Sequence, residues 1–77
     1  MSKELIVKVP LAMAEELNRQ MVANGGESDL NLAAYAIALN GYKLVLDERR
    51  AQLFYSNQVK VDNFGDGSLT VKWTEDL

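Results

Sequence analysis

The chain has no cysteine, no histidine and a single proline among its 77 residues. Without cysteine there is no disulfide and no thiolate metal site, and without histidine the commonest transition-metal ligand and neutral-pH acid or base is missing. A nucleophile with a histidine base and a glycine-rich phosphate loop are absent as well. The carboxylate pairs Glu15–Glu16 and Glu75–Asp76 read as solvated charge, because neighbours on a helix diverge and the second pair lies in an expected frayed tail. The "GDG" at 65–67 reads as a turn with too few acidic oxygens around it for calcium. The expectation is a protein that is not an enzyme, with no catalytic residues, cofactor, metal or small-molecule substrate.

A basic excess is lacking too. Eight Lys and Arg stand against eleven Asp and Glu, a net charge of −3, and neither residues 1–46 nor 47–77 are basic. That argues against a generic nucleic-acid binder held by a cationic surface. The richest apolar stretch, "LNLAAYAIAL" at 30–39, is too short to span a bilayer. Lys3, Glu4 and Lys8 interrupt the apolar residues near the start, so no signal-peptide core develops. A soluble, cytoplasmic protein without membrane contact is expected. With 48% hydrophobic and 25% charged residues the composition is that of an ordinary globular chain, here one domain spanning 1–77. A core this small is marginal alone, and self-association is a usual remedy.

In "ELIVKVP", Leu5, Val7 and Val9 share one face of a strand, and Glu4, Ile6 and Lys8 share the other. Pro10 has no N–H for a ladder, but its fixed φ suits the first turn of a helix. The spacing predicts a helix from Pro10 to Asn24 with Leu11, Met13, Ala14, Leu17 and Met21 as its apolar stripe, closed by Asn24-Gly25-Gly26. Ser28 or Asp29 is a natural N-cap for a second helix over 30–40. That helix is apolar on nearly every side, so it needs cover from several directions, and a subunit interface is the expected cover.

Residues 42–56 read in two ways. Leucines at 32, 39, 46 and 53 fall seven apart and suit one long helix; alternatively Gly41 ends the second helix and strands over "YKLVL" and "QLFYS" flank a turn at "DERR". Further on, Val59 and Val61 match Leu69, Val71 and Trp73 across "NFGDG", predicting a β-hairpin over 58–73 with its turn at Asp66-Gly67. "TEDL" is expected to fray.

The order of the opening elements resembles the ribbon-helix-helix family over residues 3–46. The marks are the alternating strand ending at Pro10, apolar Met13, Leu17 and Met21, a glycine, Ser28, then Leu32, Ala36 and Ile37. The fold class this implies is α+β: a strand followed by two helices, dimeric, with residues 47–77 as an extension carrying the hairpin. In that family the strands of two chains pair into a ribbon that enters the major groove. The resemblance implies a homodimeric regulator, of repressor or antitoxin type, binding double-stranded DNA. Glu4, Ile6 and Lys8 would face bases, and helix amides near Ser28 would hold a phosphate. Leu5, Val7, Val9, Leu32, Ala36 and Leu39 would form the dimer interface. Arg49, Arg50, Tyr55 and Trp73 are candidates for contacting a second protein.

Two alternatives stay open. For the fold, the opening strand and helix belong to an α+β domain with helices on one face of an antiparallel sheet made with the C-terminal strands. For function, the chain is a small acidic inhibitor of phage type, anti-defence or anti-CRISPR-like, that blocks a host protein or nucleoprotein complex without binding DNA. Glu15, Glu16, Glu27, Asp29, Asp47 and Glu48 would then meet a basic surface.

Overall fold

The computed structural model describes residues 2–40 and 48–76. It is a small α+β domain with the order β1 (Ser2–Pro10), α1 (Leu11–Ala23), α2 (Leu30–Asn40), α3 (Glu48–Tyr55), β2 (Lys60–Asn63) and β3 (Ser68–Asp76). The strands form one antiparallel sheet in the order β1-β3-β2, so the last strand lies in the middle. β1 is paired with β3 over its whole length, from Ser2 opposite Asp76 to Pro10 opposite Ser68. β2 takes the other edge of β3, with Val61 opposite Val71.

The alternation seen in the sequence now has a physical meaning. Val9, Leu69, Val71 and Trp73 point to one face and are buried, with Leu5, Val7 and Val61 half-buried beside them. The helices cover that face, and the opposite face is open to solvent, an arrangement antiparallel sheets tolerate. Against it α1 buries Ala14 and Leu17 from its expected stripe. Its first free amide, that of Leu11, donates to the Gly67 carbonyl at 3.0 Å, so the β2–β3 turn closes the N-terminus of α1. At the other end Gly25, at φ +90°, reverses the chain while the amides of Gly25 and Gly26 reach the carbonyls of Val22 and Met21. This pair of bonds is a Schellman cap. The end of α3 repeats it with Asn57 at φ +61° in the left-handed position.

Three expectations need correction. First, α2 does not need a second subunit to cover it: Ala33, Ala34, Tyr35, Ala36 and Ile37 are all buried within the single chain. The alanines let the helix lie close to the sheet and to α1, while Tyr35 reaches the aromatic side chains of β3 and α3. Its ring meets Trp73 edge-on at 5.5 Å and stacks on Phe54 at 5.9 Å. Second, "QLFYS" is not a strand and "DERR" is not simply a turn, because residues 48–55 are helical. Glu48, Arg49, Arg50, Ala51 and Gln52 are good helix formers, and Arg50, Ala51 and Phe54 recur at helical spacing as half-buried residues. The "YKLVL" strand, the turn's Asp47 and the middle of the proposed long helix lie outside the described residues. Third, the tail does not fray at Thr74: residues 74–76 continue β3 opposite residues 2–4. Arg50 Nε donates to Glu75 Oε1 at 3.1 Å, which ties α3 to this strand.

Candidate functional site

The open sheet face carries the side chains that the sequence singles out in β1. Glu4, Ile6 and Lys8 are all exposed there, Ile6 at 59%. In the cross-strand register Ile6, Lys72 and Lys60 form one row, and Lys8, Thr70 and Asp62 form the next. Lys60 directly opposite Lys72 sets like charges side by side, which costs a sheet some stability. Lys72 Nζ lies 3.7 Å from Glu4 Oε2, and Lys8 Nζ lies 3.5 Å from Asp66 Oδ2. Both pairs are solvent-exposed and weak. The amide and hydroxyl of Ser68 donate to Asp66 Oδ1, and these bonds, with Lys8 as a lesser cause, hold the Asp66 carboxyl below its ordinary value.

Ser28 is also exposed, but the start of α2 is organised around other partners. Asp29 Oδ1 accepts the Leu32 amide at 3.0 Å, so the N-cap is Asp29. Asn18 of α1 clamps the joint: its Oδ1 accepts the Asp29 amide at 2.8 Å and its Nδ2 donates to Ser28 Oγ at 3.0 Å. A carboxylate of the chain itself thus sits where the expected phosphate would lie, and its charge opposes a second anion.

The dimer residues inferred from the resemblance are mostly committed inside one chain. Val9 and Ala36 are buried, and Leu5, Val7, Leu32 and Leu39 are half-buried. Of the candidates for contacting a second protein, Trp73 is removed, since only 4% of it is exposed and its place is under α2. The sequence offers two roles for it, an aromatic partner contact and cover for the inner face of the sheet, and the strand parity it shares with Leu69 and Val71 favours the second, which is where it lies. Its indole N–H has no hydrogen-bond partner among the described residues. Arg50 is engaged with Glu75. Tyr55 is 69% exposed at the end of α3. Arg49 lines a shallow groove of about 290 Å³ with Gln52, Leu53, Ser56 and Gln58.

One exposed residue escaped the sequence reading. Phe64, 72% exposed, stands at the tip of the β2–β3 turn. The turn is held by Gly65 N–H donating to Asn63 Oδ1 at 2.9 Å and by the Asp66–Ser68 bonds. The signal was available, since an apolar residue in a four-residue loop has no core to reach. On the helical side Glu15, Glu27 and Glu48 are exposed, and Glu16 is partly so. Hydrogen bonds from Arg19, then from Gln20, lower the Glu16 carboxyl from its ordinary value. Among the described residues no group of three Asp or Glu side chains converges to hold a metal ion, and no helix is long and apolar enough to cross a membrane. No family model, curated protein or solved structure matches the chain.

Proposed function

We propose that this chain is a small non-catalytic protein-binding module that modulates a macromolecular target by surface contact. The observation that carries the reading is the pairing of β1 with β3 along all nine residues. A major groove roughly 12 Å wide admits a helix or a two-stranded ribbon. Here the strand that would supply half of such a ribbon is the edge of a three-stranded sheet backed by helices. The Asp29 cap adds support, because it puts negative charge at the helix end that the DNA reading needs for phosphate. Exposed carboxylates at Glu15, Glu27 and Glu48 fit a basic protein surface, with association steered by charge.

The test is a pair of titrations on the intact chain. Generic duplex DNA at low salt is expected to give no binding signal. Immobilised chain is expected to retain a protein from the native host that elutes as salt rises and is lost from the Glu15→Lys, Glu16→Lys variant. The second reading, a homodimeric DNA-binding regulator resembling ribbon-helix-helix proteins, keeps one supporting observation: Glu4, Ile6 and Lys8 share the open face with Lys60 and Lys72. DNA binding with a steep salt dependence, lost in Lys8→Ala, overturns the first reading in favour of the second.

A further inference from the structure

Four large apolar side chains are exposed among the described residues: Ile6, Val22, Tyr55 and Phe64. Ile6 and Val22 lie within regular elements, and the Tyr55 ring rests edge-on against Phe54 at 5.4 Å. Phe64 is the most exposed of the four, at 72%, and it stands on a turn that its neighbours hold without it. Asn63 Oδ1 accepts the Gly65 amide at 2.9 Å and so bends the chain around Phe64. Asp66 Oδ1 accepts the amide and the hydroxyl of Ser68, and the Gly67 carbonyl accepts the Leu11 amide at 3.0 Å. Gly65 and Gly67 take φ +79° and +83°, which residues with a Cβ resist. Lys8 Nζ, 3.5 Å from Asp66 Oδ2, ties the turn to the end of β1. The Phe64 side chain itself belongs to no part of the core and stacks on none of the described rings. It is held out on an ordered support, so little conformational freedom is left to lose when a partner covers it.

We infer that Phe64 is the anchor by which this chain docks on its target, seated in an apolar pocket of a protein whose rim carries Lys or Arg side chains. This rests on the protein-binding reading above and deepens it by naming the contact and the chemistry of the partner. Aromatic side chains that fill desolvated pockets carry much of the energy of an interface. The basic rim follows from charge: Asp62 and Asp66, two residues to either side of Phe64, are both exposed, and Lys8 offsets one of them.

The same carboxylates argue against the other uses of an exposed aromatic ring. Wedging between base pairs brings the tip of the turn against phosphates, which repel Asp62 and Asp66. A single ring with two acidic neighbours is also too little to hold the chain on an anionic membrane. A protein pocket takes the ring out of water and turns the flanking charge from a cost into an attraction.

The probe is the protein that the immobilised chain retains, purified and titrated against the intact unaltered chain and against Phe64→Ala, Phe64→Leu and Val22→Ala. Phe64→Ala is expected to weaken binding roughly thirtyfold or more, Phe64→Leu to recover most of the loss, and Val22→Ala to change nothing. High salt screens the carboxylates but leaves the Phe64 difference in place. With its side chain in solvent, Phe64→Ala melts at the temperature of the unaltered chain; a lower one makes Phe64 a structural residue and overturns the anchor. Irradiating the complex of the Phe64→p-benzoylphenylalanine variant is expected to link the turn to an apolar pocket edged by Lys or Arg, and a link to a polar surface overturns it. Equal affinity of Phe64→Ala and the unaltered chain overturns the anchor and leaves the protein-binding reading standing, whereas retention of no protein overturns both. Phe64-dependent binding to vesicles of phosphatidylcholine and phosphatidylglycerol overturns the protein pocket in favour of a membrane.

Discussion

Val71→Ala discriminates between the two folds that the sequence allows. Val71 lies in the central strand with Val7 on one side and Val61 on the other, and it is fully buried. The substitution removes two methyl groups. At about 0.8 kcal/mol per buried carbon group, transfer alone gives roughly 1.5 kcal/mol. Its neighbours lie in both flanking strands, so they cannot all close in, and the residual cavity raises the loss to roughly 2–3 kcal/mol. For a chain of this length that lowers the melting temperature by on the order of 10–20 °C. Urea unfolding followed by the fluorescence of Trp73, the sole and buried tryptophan, reads it directly. Val22→Ala is the control, since Val22 is 48% exposed and its truncation should stay within about 0.5 kcal/mol. If the two substitutions cost the same, β3 is not the centre of the core, and residues 3–46 hold together without it.

Gly25→Ala meets no neighbouring atom, so its cost is that of a Cβ at φ +90°, about 1–2 kcal/mol, visible as a lower melting temperature; an unchanged melt removes the Schellman cap from the account. Glu75→Gln should lose at most about 1 kcal/mol, because the Arg50 side chain is 38% exposed and water screens the pair, and amide exchange should quicken in α3. Exchange that quickens elsewhere but not in α3 contradicts the tie between α3 and β3. Asp66 titrates below its ordinary value of 3.8, so its contribution is present above that pH and is lost as pH falls through the lower folded value. Asp66→Asn should therefore flatten the acid limb of the stability curve while the depressed Glu16 keeps part of it, and an identical acid limb counts against the Ser68 bonds.

Local pattern carried the sequence reading a long way. Period-two alternation identified β1 and the hairpin, and the apolar stripe with Asn24-Gly25-Gly26 placed α1 and its end to within a residue or two. What local pattern cannot express is which strand lies beside which. The partner of Leu5 is Trp73, almost the whole chain away, and nothing within β1 distinguishes that neighbour from a second copy of β1. The same gap explains α2. Its all-round apolar surface announced that cover was needed, but whether a subunit or the chain's own sheet and helices provide it depends on tertiary packing. Of the two readings of residues 42–56, the strand over "QLFYS" drew on the propensity of Phe54 and Tyr55, while helix over Glu48–Tyr55 stacks Phe54 on Tyr35 and brings Arg50 to Glu75. The surface candidates fared unevenly for a related reason: parity tells which side a residue takes, but not which side is open. Thr74–Asp76, read as a loose end, extend β3 because residues 2–4 lie beside them, a neighbour that the local sequence does not show.

The placement of β3 between β1 and β2 also sets an order of events during synthesis. Among the described strands β1 has β3 as its one sheet neighbour, so it has to wait until residues 68–76 have left the ribosome. Helices α1 and α2 can form early from local contacts, but the edge of β1 that β3 occupies stays unpaired until residues 68–76 emerge. Closing so distant a pair carries a loop-entropy cost that slows folding. The decisive pairing therefore comes late, and loss of residues 68–76 removes the middle of the sheet and not its margin.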